Sequence, residues 1–318
     1  MLKAFAWENG KLICLAPEDA ARAIWFDLES AAPEEIAFVT RLTGLALPGH
    51  ADLAEIEASS RLATDGPVLT MSTPTVTRCA DGLQAGVCGF VLSPERLVTL
   101  RYTPSIVFQQ FPNHPHAIAT PEAAHIFVSL LEAIVDRQAD ALEALRSELD
   151  HMSHKIFHHR MAGKARATEL EMQAMLVTLG RSYDTISFLR ESQLGVARIA
   201  PYAGTATGWM PKPLRQRLDS VLKDVTSLNE YSTHLTDKVQ FLLDSTLGLI
   251  NIAQNSLIKV LTIVSIVGIP PTLIAGIYGM NFHDIPELSW SYGYGYAWAV
   301  MVASAVLPLL WFRKKGWI

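Results

Sequence analysis

Hydrophobic and polar positions divide the chain into three regions with different periodicities. In the first 110 residues, short apolar runs at 23–28, 67–73, 87–92 and 96–102 predict strands, and residues 32–44 predict a capped helix. Helical spacing then dominates, and Ala123–His159 and Glu169–Leu189 predict a hairpin that turns at residues 161–168. The front of the chain is therefore predicted to be a mixed α/β domain followed by a helical hairpin.

A heptad pattern follows the hairpin. Leucine or valine recurs at every seventh position, and a second apolar position is broken by Ser232 and Thr246. The first set is Val221, Leu228, Leu235, Leu242 and Leu249, and the second is Leu218, Val225 and Val239. After a predicted loop at residues 201–213, this pattern predicts one helix from about Leu214 to about Met280, roughly 100 Å long.

Two apolar stretches near the end of the chain are long enough to span a membrane. They are Leu257–Tyr278 and Gly293–Phe312, and residues 257–312 contain only three charged side chains, Lys259, Asp284 and Glu287. Aromatic residues flank the second stretch, and the basic run Arg313–Lys315 follows it. The sequence therefore predicts two spans with both termini in the cytoplasm and a short loop outside.

The first span carries a polar stripe that an inert anchor does not need. Polar and small residues recur along one face, and Pro270 and Pro271 free backbone carbonyls in mid-span. The stripe consists of Asn255, Thr262, Ser265, Ile269, Thr272 and Gly276. It is compatible with close helix packing or with a pore, and a pore requires several copies around an axis because two helices cannot enclose one.

Composition and motifs narrow the function further. The net charge is −5 and 18% of residues are charged, which excludes a strongly basic nucleic-acid binder. The N-terminus has no signal-peptide pattern, and three scattered cysteines are typical of buried thiols in a reducing compartment. The sequence contains no phosphate-binding glycine loop, nucleophile elbow or HExxH motif, so an enzyme is not predicted.

Two groups of side chains are candidate metal ligands. His151, His154 and His158 share one helix face, which is typical either of an exposed hairpin tip or of a transition-metal site. Glu230, Asp237 and Asp244 recur every seven residues, with Asp224 nearby. They form either a solvated face or a cation-binding strip directed at a neighbouring subunit.

The end of the first span reads Tyr278-Gly279-Met280-Asn281-Phe282, and its Gly-Met-Asn resembles the signature of the CorA family of divalent-cation channels. Other segments resemble family positions in the same order. They are Asn251-Ile252, Gln254-Asn255, Pro270-Pro271-Thr272-Leu273, Pro286-Glu287-Leu288 and Phe312–Ile318. The resemblance is close over residues 235–318, whereas the front half shares only the order of elements.

The resemblance implies a fold and a domain plan. The fold is an α+β cytoplasmic domain, a long helical stalk and two C-terminal transmembrane helices, assembled as a funnel-shaped homopentamer in the inner membrane. The domains are 1–115 (α/β domain), 116–205 (helical hairpin), 212–281 (stalk helix and first span, the span at about 257–280), 282–291 (external loop), 293–312 (second span) and 313–318 (basic tail).

The resemblance also implies Mg²⁺ as the main substrate, with Co²⁺ and Ni²⁺ as further substrates and no catalytic cofactor. Gly279, Met280 and Asn281 would form the filter, Asp284 and Glu287 would attract cations, and Asp224 and Asp244 would bind regulatory Mg²⁺. The conduit would be lined by Asn255, Ile258, Leu261, Ser265, Ile269, Thr272 and Gly276. Two alternatives remain, a ZntB-like Zn²⁺ transporter of the same fold and a membrane-anchored signalling or scaffold protein.

Overall fold

The computed structural model describes residues 1–8, 10–55, 57, 61–79, 82–113, 122–161, 169–281 and 285–317. The chain divides into two compact units. Unit 1 comprises residues 1–167 and 173–243, and unit 2 comprises residues 168–172 and 244–318.

Unit 1 begins with a seven-stranded sheet of order β2-β1-β3-β7-β6-β5-β4. Strands β3 and β7 pair in parallel, and every other neighbouring pair is antiparallel. The strands are β1 (Leu2–Glu8), β2 (Lys11–Cys14), β3 (Trp25–Glu29), β4 (Leu62–Asp65), β5 (Val68–Cys79), β6 (Gly82–Leu92) and β7 (Leu97–Arg101). The four strands predicted from sequence are confirmed as β3, β5, β6 and β7.

Helices cover both faces of this sheet because its central strands are apolar on both sides. One face packs against α1 (Pro33–Thr43) and α2 (His50–Leu53) through a core that includes Phe26, Val39 and Leu53. The other packs against α3 (Ile106–Gln110), α4 (Ala123–Met161), α5 (Glu169–Ala206) and the start of α6 (Lys212–Tyr278). Unit 1 is therefore a three-layer α/β/α domain extended by long helices.

The second face also buries an ion pair. Arg101 Nη2 lies 2.7 Å from Asp27 Oδ2, and both side chains are only 2% exposed. Thr99 Oγ1 donates a hydrogen bond of 2.9 Å to Asp27, and Glu29 lies 2.8 Å from Arg101. Burial alone would lower the pKa of Arg101, but the hydrogen bonds and charges of Asp27 and Glu29 outweigh it and raise the pKa. Arg101 is therefore held as a cation in the core.

Polar side chains connect α4, α5 and α6 at several levels. Arg217 on α6 forms two hydrogen bonds with Glu132 on α4, and Lys238 hydrogen-bonds to Asp150 farther along the same two helices. The apolar heptad positions of α6 lie buried beneath these contacts from Leu218 to Leu242, apart from the partly buried Leu228. The predicted packed face of the long helix is confirmed.

Three sequence predictions differ from the structure. The loop predicted at residues 201–213 begins later, because α5 continues through Pro201 to Ala206 and buries Ala200 and Ala203. Strands β1, β2 and β4 were not predicted, since each is short or lies near a sheet edge and lacks a clear alternating pattern. Cys14 is exposed rather than buried, because it ends the edge strand β2, whereas Cys88 is buried.

Unit 2 contains the rest of α6, a short 3₁₀ helix at Pro286–Ser289 and α7 (Gly293–Lys314). Across the described residues, two helices, α6 and α7, are long and apolar enough to cross a membrane. Prolines lie inside both of them, at 270 and 271 in α6 and at 308 in α7.

Candidate functional site

Helix α6 has a half-covered face and an opposite, open face within unit 2. The half-buried positions include Ile263, Val267 and Ile274, which follow one another at helical spacing. The open side carries most of the predicted pore-lining set. Asn255, Ile258, Leu261, Ile269, Thr272 and Gly276 are exposed, and Ser265 is intermediate. Apart from the half-buried Thr262 and Ser265, the predicted polar stripe is therefore the side of α6 that its own unit leaves largely uncovered.

Part of this open side forms a shallow concave groove. The groove is lined by α6 and by Met280 beyond its end. Gly268 and Gly276 have no side chain to fill it, and a Cβ at either would meet nothing within 4 Å. The lining residues are Val264, Ser265, Gly268, Ile269, Thr272, Leu273, Gly276, Ile277 and Met280. The groove brings together four predicted conduit residues and Met280 of the Gly-Met-Asn segment, whereas Asn255, Ile258 and Leu261 precede it along the helix.

The hydroxyl groups of the open face have their protons directed into the helix. Thr272 Oγ1 donates to the carbonyl of Gly268 at 2.8 Å, and Ser265 Oγ donates to that of Leu261 at 2.9 Å. The oxygen lone pairs consequently remain available to accept hydrogen bonds. Pro270 and Pro271 cannot donate backbone hydrogen bonds, so the carbonyls four residues earlier lose their usual helical partners. This stretch of α6 is rich in neutral oxygen acceptors.

The Gly-Met-Asn segment begins directly where α6 ends, at Tyr278. The Gly279 N–H donates to the carbonyl of Ala275 at 2.9 Å, and a Cβ at Gly279 would lie 3.1 Å from that oxygen. Asn281 is exposed one residue beyond Met280. Because the last carbonyls of a helix carry a partial negative charge, a cation is favoured at this end.

The start of α7 packs closely against the backbone of the residues just before it. Gly293 starts α7 where a Cβ would lie 2.1 Å from the Glu287 carbonyl oxygen, so a side chain does not fit without movement. Glu287 is half-buried, and Asp284 lies outside the described residues. Sequence reasoning missed Gly293, as well as Gly268 and Ile277 in the groove. Their only sequence signal is a small or apolar residue at helical spacing, which buried packing positions share.

The predicted regulatory carboxylates Asp224 and Asp244 are both on α6, and both are exposed. They lie about 30 Å apart along the helix, so one chain cannot place both on a single ion. Among the described residues, no group of three or more histidine, cysteine, aspartate or glutamate side chains could hold a metal ion. His151 and His154 are exposed on α4, and the side chain of His158 lies outside the described part of the chain.

Comparison with known proteins places these features in a family. A family model described as "CorA-like Mg2+ transporter protein" matches residues 20–314. The chain belongs to this family. The match covers the sheet domain from β3 onwards and the two apolar helices, and the family is one of transporters rather than enzymes. The resemblance seen in the Gly-Met-Asn segment is thereby confirmed.

Full-length relatives also support membership of this family. The magnesium transport proteins CorA of Haemophilus ducreyi and Yersinia pseudotuberculosis are 29% and 31% identical to the chain, and each alignment covers 100% of both proteins. The solved CorA magnesium transporter of Methanocaldococcus jannaschii superimposes with a TM-score of 0.74 at 19% identity, covering 100% of this chain and 99% of that one. The CorA fold therefore extends along the whole chain.

A ZntB structure is a more distant neighbour. The ZntB cytoplasmic domain of Vibrio parahaemolyticus gives a TM-score of 0.54 at 10% identity and covers 77% of this chain. At this identity the likeness concerns the fold alone.

Proposed function

We propose that the chain is a Mg²⁺ channel that mediates influx across the inner membrane, with Co²⁺ and Ni²⁺ as further substrates. The observation that carries the proposal is the open face of α6, where neutral oxygen acceptors and a glycine-floored groove lead towards Met280 and the exposed Asn281. The family match and the names of the full-length relatives support Mg²⁺ as the ion. Mg²⁺ is the transported substrate here, and no catalytic cofactor is needed.

The open face of α6 would enclose an ion path only in an assembly, and we propose a homopentamer. One helix cannot surround an aqueous path, but cyclic symmetry places the same face of each copy around a common axis. In this arrangement α6 lines the path, and the apolar α7 faces lipid, where its exposed aromatic ends suit the membrane interfaces. The basic run from Arg313 to Lys315 would lie in the cytoplasm, and two spans would return the N-terminus to the same side.

The chemistry of the open face suits a hydrated ion. Mg²⁺ gives up its water reluctantly, so a site that binds the hydration shell avoids the cost of removing it. The Asn281 amide and the carbonyls at the end of α6 would accept hydrogen bonds from that water, with Gly279 and Met280 completing the filter. Asp284 and Glu287 would raise the cation concentration at the outer mouth. Farther in, Ile258, Leu261 and Ile269 would form apolar constrictions that can gate by losing their water.

Cytosolic Mg²⁺ is proposed to close the channel through the stalk. Asp224 and Asp244 are accessible and too far apart to share an ion within one chain, so their partner ligands would come from a neighbouring subunit. Ions bound between subunits in the closed state would favour that state and give negative feedback. These two carboxylates thereby take a regulatory role that requires the assembly.

Two other functions would use the same fold. In a ZntB-like zinc transporter the Gly-Met-Asn methionine is often replaced, whereas this chain retains Met280. A membrane-anchored signalling or scaffold protein would need no continuous face of acceptors through the span. Mg²⁺ conduction therefore accounts for more of the observed site than either alternative.

In the proposed channel the open face of α6 meets water and the half-covered face does not. In a background without native cysteines, Ser265→Cys, Thr272→Cys and Gly276→Cys should react with a charged, water-soluble thiol reagent in proteoliposomes. Val267→Cys and Ile274→Cys, on the half-covered face, are the matched controls and should react at least about tenfold more slowly, because the reagent carries a charge that is excluded from apolar surroundings. Equal rates on both faces would contradict a water-filled path along α6.

A further inference from the structure

The C-terminal tail of α7 folds back in a Schellman motif. Gly316 has a left-handed φ of 70°, its N–H donates to the Arg313 carbonyl at 3.1 Å, and the Trp317 N–H donates to the Phe312 carbonyl at 3.0 Å. These two bonds define the motif, and the left-handed position explains why glycine is favoured there. The hydrophobic contact that accompanies such motifs is also present, since the Trp317 ring stacks on Phe312 with centroids 5.3 Å apart.

The same fold-back brings Trp317 to the long helix. Lys259 Nζ lies 5.8 Å from the centroid of the Trp317 ring, within the range of a cation–π interaction. Lys259 is the only charged residue in the first span, and it lies between Ile258 and Leu261. Phe312, which stacks on the Trp317 ring, is 2% exposed although most of α7 is open. The tail is therefore packed against α6 at the level of the proposed apolar constriction.

We propose that Trp317 and Lys259 are positioning residues for the ion path, an inference that rests on the proposed function. When the Trp317 ring holds the Lys259 side chain, rotation of α6 about its own axis is limited at this level. Ile258 and Leu261 belong to the same rigid helix turn and would keep their orientation towards the path only while Lys259 is held. The Lys259–Trp317 contact, here called the tail clasp, would then set the geometry of the constriction without touching the ion.

Cross-linking tests the tail clasp independently of transport. In the full-length protein without its native cysteines, a short bis-maleimide should link the two positions of the Lys259→Cys, Trp317→Cys double variant within one chain. Val260→Cys with Trp317→Cys is the matched control and should link at least about fivefold less, because adjacent residues of a helix point in different directions. Equal linking in both pairs would overturn the clasp.

The rate of Mg²⁺ entry tests the positioning role of the tail clasp. Trp317→Ala and Lys259→Gln should each lower the initial Mg²⁺ entry rate into proteoliposomes at least about threefold, which is the scale of one lost cation–π contact. Trp317→Phe and Lys259→Arg keep an aromatic face and a cation and should restore at least half of the rate. Trp311→Ala removes a tryptophan from the same membrane interface without removing the clasp, so it controls for anchoring.

A positioning role has a further signature. The double variant Trp317→Ala, Lys259→Gln should be no slower than the slower single variant, because both changes remove one contact. The order of preference among cations and the subunit content should remain those of the wild type. Unchanged entry in both single variants would overturn the positioning role. If the Lys259→Cys, Trp317→Cys variant links as expected but the wild type passes no Mg²⁺, the proposed function fails and the positioning role fails with it, whereas the contact between α6 and the tail stands.

Discussion

Replacing Asn281 by alanine should reduce Mg²⁺ entry at least about tenfold, because the filter would lose a ring of hydrogen-bond acceptors worth more than about 1.4 kcal/mol in the assembly. Asn281 is exposed at the end of α6, one residue after Met280, so its amide can meet hydrating water. The measurement is the initial rate of Mg²⁺ entry into proteoliposomes that enclose a Mg²⁺-sensitive dye.

Ser291→Ala is the matched control, since Ser291 is also polar and exposed in the segment between α6 and α7. It should keep the wild-type rate, and both variants should match the wild type in size-exclusion profile. If Asn281→Ala conducts Mg²⁺ as fast as Ser291→Ala does, the filter is not at this residue.

Replacing Arg101 by methionine should destabilise unit 1 strongly. Asp27 would remain buried with its charge unpaired, and breaking such a pair costs about 3–5 kcal/mol. The melting temperature of the full-length protein in detergent should fall on the order of 10 °C. Glu29 cannot compensate, because it carries the same charge as Asp27.

An exposed pair in the same domain provides the control. Arg22 Nη2 lies 2.5 Å from Glu8, but the two side chains are 63% and 37% exposed, so Arg22→Met should cost less than about 1 kcal/mol. The double variant Asp27→Leu, Arg101→Met should recover part of the loss, since it leaves no unpaired charge at these two positions. A melting temperature for Arg101→Met equal to that of Arg22→Met would contradict the structural role given to the buried pair.

Long periodic segments were the most predictable parts of the fold. The heptads of α6 and the two apolar spans depend on a period repeated over many residues, so single exceptions such as Ser232 did not obscure them. Pro201 was misleading because the local rule that proline ends a helix was outweighed by the burial of Ala200 and Ala203. The buried pair of Asp27 and Arg101 was not predicted, since it depends on the parallel pairing of β3 with β7, which are far apart in the sequence.

The candidate site was predictable to the level of a helix face. Helical spacing places Ser265, Ile269, Thr272 and Gly276 on one side from sequence alone, and the structure adds that this side is open and concave. The tail clasp was not predictable, because it joins Lys259 to Trp317 through a left-handed turn at Gly316. The roles proposed for Asp224 and Asp244 could not be derived from a single chain, because the ligands we propose for them would come from another subunit.

The most direct test of Mg²⁺ conduction is cation entry into proteoliposomes that contain the purified wild-type protein, with empty liposomes, Zn²⁺ and an internal pH probe in parallel. We expect Mg²⁺ entry down its gradient, driven further by an inside-negative potential, without accompanying proton movement. Zn²⁺ entry coupled to protons without Mg²⁺ entry would contradict this expectation and favour the zinc transporter. No entry of any cation through folded, pentameric protein would contradict it in favour of a scaffold.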